Sequence, residues 1–231
     1  MIGDIIYVIA NSWTDFISFL LSSLLLGLYH LYLFYKVKKR PTYTVQAVNR
    51  IARTAWVETI MNERRDILAV QTLRNSTMAA TFLASTAVLL IIGVLTLSGQ
   101  AANLNTTWHA LNALGATHNS IWLIKLLVLL SDLFVAFFCF SMSIRIFNHV
   151  GFMINVPLTL NHKMISPPHV ALHLNRAGKF YSIGMRAYYF SVPMVFWLFG
   201  PHFLLASTIM LIFVLYFLDR APKVMADDYA E

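Results

Sequence analysis

AVQTLRNSTMAATFLASTAVLLIIGVLTLSG, residues 69–99, passes Arg74 and Asn75 and then runs for 24 residues, 76–99, without a charge. A bilayer's hydrocarbon core takes about 20 apolar residues of helix to cross, so the uncharged part is long enough to span it. Arg74 and Asn75 stand at its threshold, and Ser76, Thr77, Thr81, Ser85 and Thr86 form a polar ladder inside it. Thr77, Thr81 and Ser85 recur at four-residue spacing and share a stripe, with Ala80 and Ala84 beside them as a small-residue pair. Two readings stay open. Small and hydroxyl residues let membrane helices pack closely and bond across the contact. The same stripe would also line a narrow wet pore.

The rest of the chain agrees with a membrane setting. Hydrophobic residues make up 58% and charged ones 12%, the latter about half the share usual in soluble domains. The apolar runs mark four spans, at about 13–35, 76–99, 120–144 and 187–218, within a single membrane domain over 1–231. The N-terminal stretch lacks the basic residues and small-residue cleavage site of a secretory signal, so the first run is expected to remain as a span. The fourth run is too long for one upright crossing and is interrupted at Gly200-Pro201. It reads as a kinked, tilted span, with a re-entrant hairpin as the alternative.

The net charge of +7 is unevenly distributed. Fourteen of the 17 basic residues lie in 36–74 and 145–186, Arg220 and Lys223 follow the last run, and Lys125 lies inside the third. Cytoplasmic segments carry excess Lys and Arg, so this pattern places both termini outside the cytoplasm. The expected location is a cell membrane, the inner one if the source is bacterial. Between spans one and two, residues 43–73 place Val45, Val48, Ala52, Trp56, Ile60, Ile67 and Val70 at helical spacing, with one gap near Glu63. This predicts a long amphipathic helix on the cytoplasmic face. The fold class is therefore all-α: a four-helix membrane bundle with an interfacial helix and a last span kinked at Gly200-Pro201.

Two polar constellations are candidates for function. Lys125 and Asp132 lie seven residues apart on one face of span three, and Asp15 is at a height to pair with Lys125. With Thr77, Thr81 and Ser85 they outline an intramembrane polar pathway, or a structural clasp. Asp132 has no basic partner at its own depth, so it is protonated, bonded to a hydroxyl of span two, or wet. Arg74, Arg145 and Arg186 each stand at the cytoplasmic end of a different span, joined by Asn75, Asn148 and His149. Guanidinium groups at one height bind phosphate or carboxylate, and in an oligomer they would ring a pore. Ordinary anchoring to lipid headgroups explains them equally.

Other chemistries have little support. The single Cys139 rules out an intrachain disulfide. His169 and His173 are four apart with no Cys or carboxylate beside them, and His30 with His149 is a weak haem pair. No phosphate-binding loop, serine-hydrolase elbow or metalloprotease signature occurs, and no basic run is interleaved with aromatics. The expectation is no enzyme, no cofactor, no metal and no nucleic acid.

The strings AVQTLRNSTMAATFLAST, SIRIFNHVGFMINVP and GMRAYYFSVPMVFWLFGP together resemble a family of bacterial and plant membrane proteins known only as a domain of unknown function. The likeness runs over about residues 10–220. It implies a four-span fold and places Arg74, Asn75, Arg145, Asn148, His149, Gly184, Arg186, Tyr188 and Pro193 in the family pattern, with no activity attached. From the residues, two roles compete, and the first is the leading expectation. One is an oligomeric channel or passive pathway for a small solute, such as an anion. The other is a scaffold or accessory subunit that organises lipid or a partner membrane protein.

Overall fold

The computed structural model describes residues 13–100, 119–160 and 165–222. They form six α-helices: α1 (Trp13–Lys39), α2 (Val45–Glu63), α3 (Asp66–Gly99), α4 (Asn119–Met153), α5 (Pro167–Trp197) and α6 (Pro201–Leu218). Four of them, α1, α3, α4 and α6, are long and apolar enough to cross a membrane. Spans two and three are expected to be joined by an uncharged loop over 100–119, of which 101–118 lie outside the described residues, as do Lys163 and Lys223.

The packed centre is α3, α4 and α5. Ala84 of α3, Ala136 and Phe140 of α4 and Ala187 of α5 form one cluster, and Ile91, Val94, Leu126, Leu129 and Leu133 extend it toward the end that holds Lys125. On α3 the buried set is Ala69, Leu73, Ala80, Ala84, Ala87, Ile91 and Val94. The small residues let backbones approach, and close packing is what holds membrane helices together once lipid removes the hydrophobic drive. α1 and α6 form a second layer, packed on α5 through Tyr29, Leu33, Tyr189, Phe190 and Leu215.

α1 shows how lipid as solvent inverts the usual order. Its buried residues are Asp15, Ser18, Ser22, Tyr29 and Leu33, while Phe16, Ile17, Leu20, Leu24, Leu28 and Phe34 face outward. Apolar side chains lose nothing against acyl chains, whereas polar ones need partners inside the protein.

The amphipathic helix is shorter than its pattern predicts. α2 starts at the Thr44 cap, whose hydroxyl accepts from the Ala47 amide at 3.3 Å, and stops at Glu63 instead of running to 73. Arg64 adopts the left-handed conformation (φ 53°, ψ 45°) and donates its amide to Ile60. The chain turns and re-enters a helix at Asp66, which carries its charge in the first turn, where the helix dipole favours it. Span two is therefore the upper part of a continuous α3 that begins ten residues before 76. The gap in apolar spacing near Glu63 marks the break.

Residues 170–182 and the start of the fourth run also belong to one helix, α5. Pro167 and Pro168 occupy its first turn, where the missing amide hydrogens have no intrahelical partner to lose. One buried face runs through it, Val170, Ala171, Leu174 and Ala177 first, then Gly184, Ala187, Pro193 and Trp197.

At Gly200 the chain reverses, so the hairpin is the conformation found. Gly200 has φ 149°, a value that side-chain-bearing residues rarely adopt, and Pro201 opens α6. α6 then returns along α5. Arg186 Nη2 lies 3.1 Å from Asp219 Oδ1, and Leu215 packs with Tyr189 and Phe190. The Val45 amide donates to Asp219 at 3.1 Å and the Ala221 amide to Tyr43 at 3.0 Å, joining the end of α6 to the start of α2. The start of α1 and the end of α6 therefore lie at opposite ends of the bundle, as the hairpin alternative implies; the termini themselves, 1–12 and 223–231, lie outside the described residues. The reversal also moves Arg220 to the end that carries every other described Lys and Arg except Lys125.

Candidate functional site: polar clamps and a lateral cleft

Three polar clusters join the helices. The first is at the end away from the basic residues. Lys125 Nζ lies 2.6 Å from Asp15 Oδ1, with side chains 2% and 3% exposed. Lys125 also donates to the Trp197 carbonyl at 3.2 Å, and Trp197 Nε1 donates to Asp15 Oδ1 at 3.0 Å. Phe19 stacks on the Trp197 ring. The expected Asp15–Lys125 pairing is found, and it closes α1, α4 and α5 together.

The second cluster is at the basic end, about 21 Å along α1 at 1.5 Å per residue. Tyr29 donates to Asp219 Oδ2 at 2.9 Å, and Arg186 Nη2 donates to both Asp219 oxygens at 3.1 and 3.2 Å. The third fixes α2 to α5. Arg53 Nε donates to Asn175 Oδ1 at 2.9 Å, and Asn175 Nδ2 donates to Thr54 Oγ1 at 3.0 Å.

Between the second and third clusters opens a cleft of about 880 Å³, walled by α2, α3, α5 and α6. Its polar lining includes Asn49, Arg53, Asn75, Ser182, Arg186 and Asp219. Its apolar lining includes Trp56, Leu73, Phe147, Met185, Leu215 and Leu218. The cleft straddles the boundary between the apolar length of α6 and its charged end. Arg186 is neutralised by Asp219. Arg53 has no carboxylate partner among the described residues, and burial pushes its guanidinium below its ordinary value.

The sequence candidates divide between surfaces. Arg186 and Asn75 line the cleft. Arg74, Arg145, Asn148 and His149 are exposed and do not line it. Thr81 and Ser85 face away from the bundle and Thr77 is half-buried. Thr81 donates to the Thr77 carbonyl at 2.9 Å, one turn back on its own helix. The adjoining Ala80 and Ala84, not the hydroxyls, make the buried contact. Asp132 is half-buried, and its Oδ2 has no hydrogen-bond partner among the described residues.

Arg53, Asp219, Tyr29 and Trp197 are the residues that sequence reasoning missed. Arg53 reads as one more cation on the polar side of an amphipathic helix. Asp219 is the one acid directly after the last apolar run, a signal that gains meaning once α6 folds back.

His149 meets His173 with ring centroids 5.3 Å apart, and His173 Nε2 lies 3.1 Å from His169 Nε2. Among the described residues no three metal-ligating side chains converge on a metal position. His30 bonds to the Leu26 carbonyl and meets the Phe190 ring, so it does not face His149. Burial, then the neighbouring His169, His149 and Arg176, hold His173 below its ordinary value. Folded protein thus binds fewer protons here than unfolded protein between that lowered value and about 6.5. Stability contributed by neutral His173 is lost as pH falls through this window. The melting temperature in detergent should drop between pH 7.5 and 5.5, and His173→Gln should shrink the drop. An unchanged drop in the variant would assign it to other groups.

Four long apolar helices, with large apolar side chains exposed along their lengths, define an all-helical, multi-pass membrane protein. The chain belongs to the family described as "Protein of unknown function, DUF599", whose model matches residues 17–224. No curated protein and no solved structure is detectably similar to it. Three of the residues that the resemblance singled out have clear packing roles: Gly184 faces the Phe140 ring, Tyr188 donates to the Leu83 carbonyl, and Pro193 is buried within α5.

Proposed function

We propose that this protein is a non-conducting membrane accessory or scaffold protein that holds an amphiphile in its lateral cleft. The observation that carries the reading is the cleft itself, whose lining combines apolar side chains with a few polar and cationic ones and reaches from the apolar length of α6 to its charged end. Ligand sites are typically mostly apolar concavities of about 300–1,000 Å³ with a few placed polar groups. The channel alternative draws less support. Phe140, Ala136, Leu133 and Ser143 fill the middle of the α3–α4–α5 centre with almost no exposed surface. A pore would therefore have to form between copies, along the outward stripe of Thr77, Thr81 and Ser85.

In this reading the basic end faces the cytoplasm, by the positive-inside rule, and the protein resides in a cell membrane, the inner one in a bacterium. Its partners are lipids, further copies of the chain and a partner membrane protein, and it catalyses no reaction.

Purified protein in liposomes should pass neither chloride, phosphate nor potassium, and native mass spectrometry should find lipid retained on the chain. A flux that Arg74→Gln alters would return the channel to first place.

A further inference from the structure

Arg53 enters its clamp through Nε alone, and no carboxylate among the described residues pairs with its charge. We propose that its guanidinium is the anion-reading group of the cleft and that the ligand is a phosphate group carried on an apolar tail, as in an anionic phospholipid. This rests on the amphiphile-holding reading and names the chemical class that the cleft would take.

The argument begins with charge. Arg186 and Asp219 cancel within the cleft wall, so Arg53 supplies the net positive charge of the lining. A half-buried cation without a counter-ion is costly, and the cost falls when an anion arrives. Arg53 is also aimed. Its Nε is held by Asn175, whose own amide is held by Thr54. That leaves Nη1 and Nη2, which present the forked geometry that matches phosphate oxygens.

Gly178 is the seat of this group. A Cβ built there would lie 2.7 Å from Arg53 Cζ, 2.8 Å from Nη1 and 3.0 Å from Nη2. The guanidinium lies flat over a residue without a side chain, on the cleft wall. Asn49 of α2 and Asn75 of α3 also line the cleft, as neutral hydrogen-bonding groups for a headgroup. Leu73, Met185 and Leu215 continue the lining with apolar surface suited to the start of an acyl chain. A phosphate bearing a tail satisfies both the polar and the apolar parts of the lining; a zwitterionic headgroup would bring a second cation to a cleft that already has an excess one.

The test uses the full chain in neutral detergent and native mass spectrometry. The probes are dioctanoyl phosphatidate, dioctanoyl phosphatidylcholine and inorganic phosphate. Wild-type protein should bind phosphatidate at least about tenfold more tightly than phosphatidylcholine, as expected for charge-assisted bonds to a partly desolvated guanidinium. Arg53→Gln should lower phosphatidate affinity at least tenfold and leave phosphatidylcholine binding unchanged. Gly178→Ala keeps the charge but displaces the guanidinium, and should give a similar loss. It serves as the second variant if Arg53→Gln does not fold. Arg50→Gln, on the same helix but not lining the cleft, should bind as wild type does.

Phosphatidate bound equally by wild type, Arg53→Gln and Gly178→Ala would overturn the assignment. Equal binding of both lipids to wild type would also overturn it, while leaving an amphiphile in the cleft. Inorganic phosphate binding as tightly as phosphatidate would overturn the tail and make the free ion the ligand. No lipid bound at all would overturn the amphiphile-holding reading itself.

Discussion

Replacing Lys125 by methionine should destabilise the protein by about 3–5 kcal/mol, the cost of removing one partner from a buried ion pair. Lys125 and Asp15 are almost fully buried, and Trp197 contributes its indole to one partner and its carbonyl to the other. Methionine matches the lysine stem in length, so little of the loss should come from packing. Asp15 then retains the Trp197 donor but loses its cation. The double variant Asp15→Asn, Lys125→Met should recover most of the loss, because a neutral amide no longer needs compensation at that depth. Denaturant unfolding in mixed micelles reads both variants. A single variant within about 1 kcal/mol of wild type, or a double one as unstable as the single, would refute the clamp.

Gly184→Val should cost about 1–3 kcal/mol through overpacking. A Cβ at Gly184 would meet the Phe140 ring at 2.8–3.0 Å. That ring has no exposed surface, and Tyr181 and Tyr188 hold it edge-on with centroids 5.8 and 5.3 Å away. Tyr188 is itself bonded to the Leu83 carbonyl on α3, so the aromatic group has little freedom to shift. Phe140→Leu should destabilise the wild type yet partly rescue Gly184→Val, and the double-mutant cycle should show a coupling of about 0.5–3 kcal/mol. Additive effects would mean that the helices separate instead of clashing.

These two sites differ in how far they can be read from the chain. The Asp15–Lys125 pair follows from burial cost alone: two opposite charges at matching depth in neighbouring spans have few stable alternatives to meeting. Gly184 gives no such hint, since a glycine in a membrane helix carries no sign of the ring that will cover it. The arginines show the same limit. Arg74, Arg145 and Arg186 stand at corresponding span ends, but rotation about each helix axis decides where a side chain points. Arg186 turns into the cleft and Arg74 and Arg145 do not. Arg53 reaches the cleft because Asn175, 122 residues away, holds it there.

Apolar run length and the uneven placement of Lys and Arg determined that this chain is an all-helical membrane protein, with about where its spans lie and which end is basic. Those properties follow from transfer between water and lipid, a sum over residues in a window that needs no knowledge of neighbours. The tertiary structure decided the break at Arg64, the reversal at Gly200, the outward turn of the Thr81 and Ser85 stripe, and the cleft with an Arg53 that meets no carboxylate among the described residues. Each depends on which helix faces which, and that is set by contacts between residues far apart in the chain.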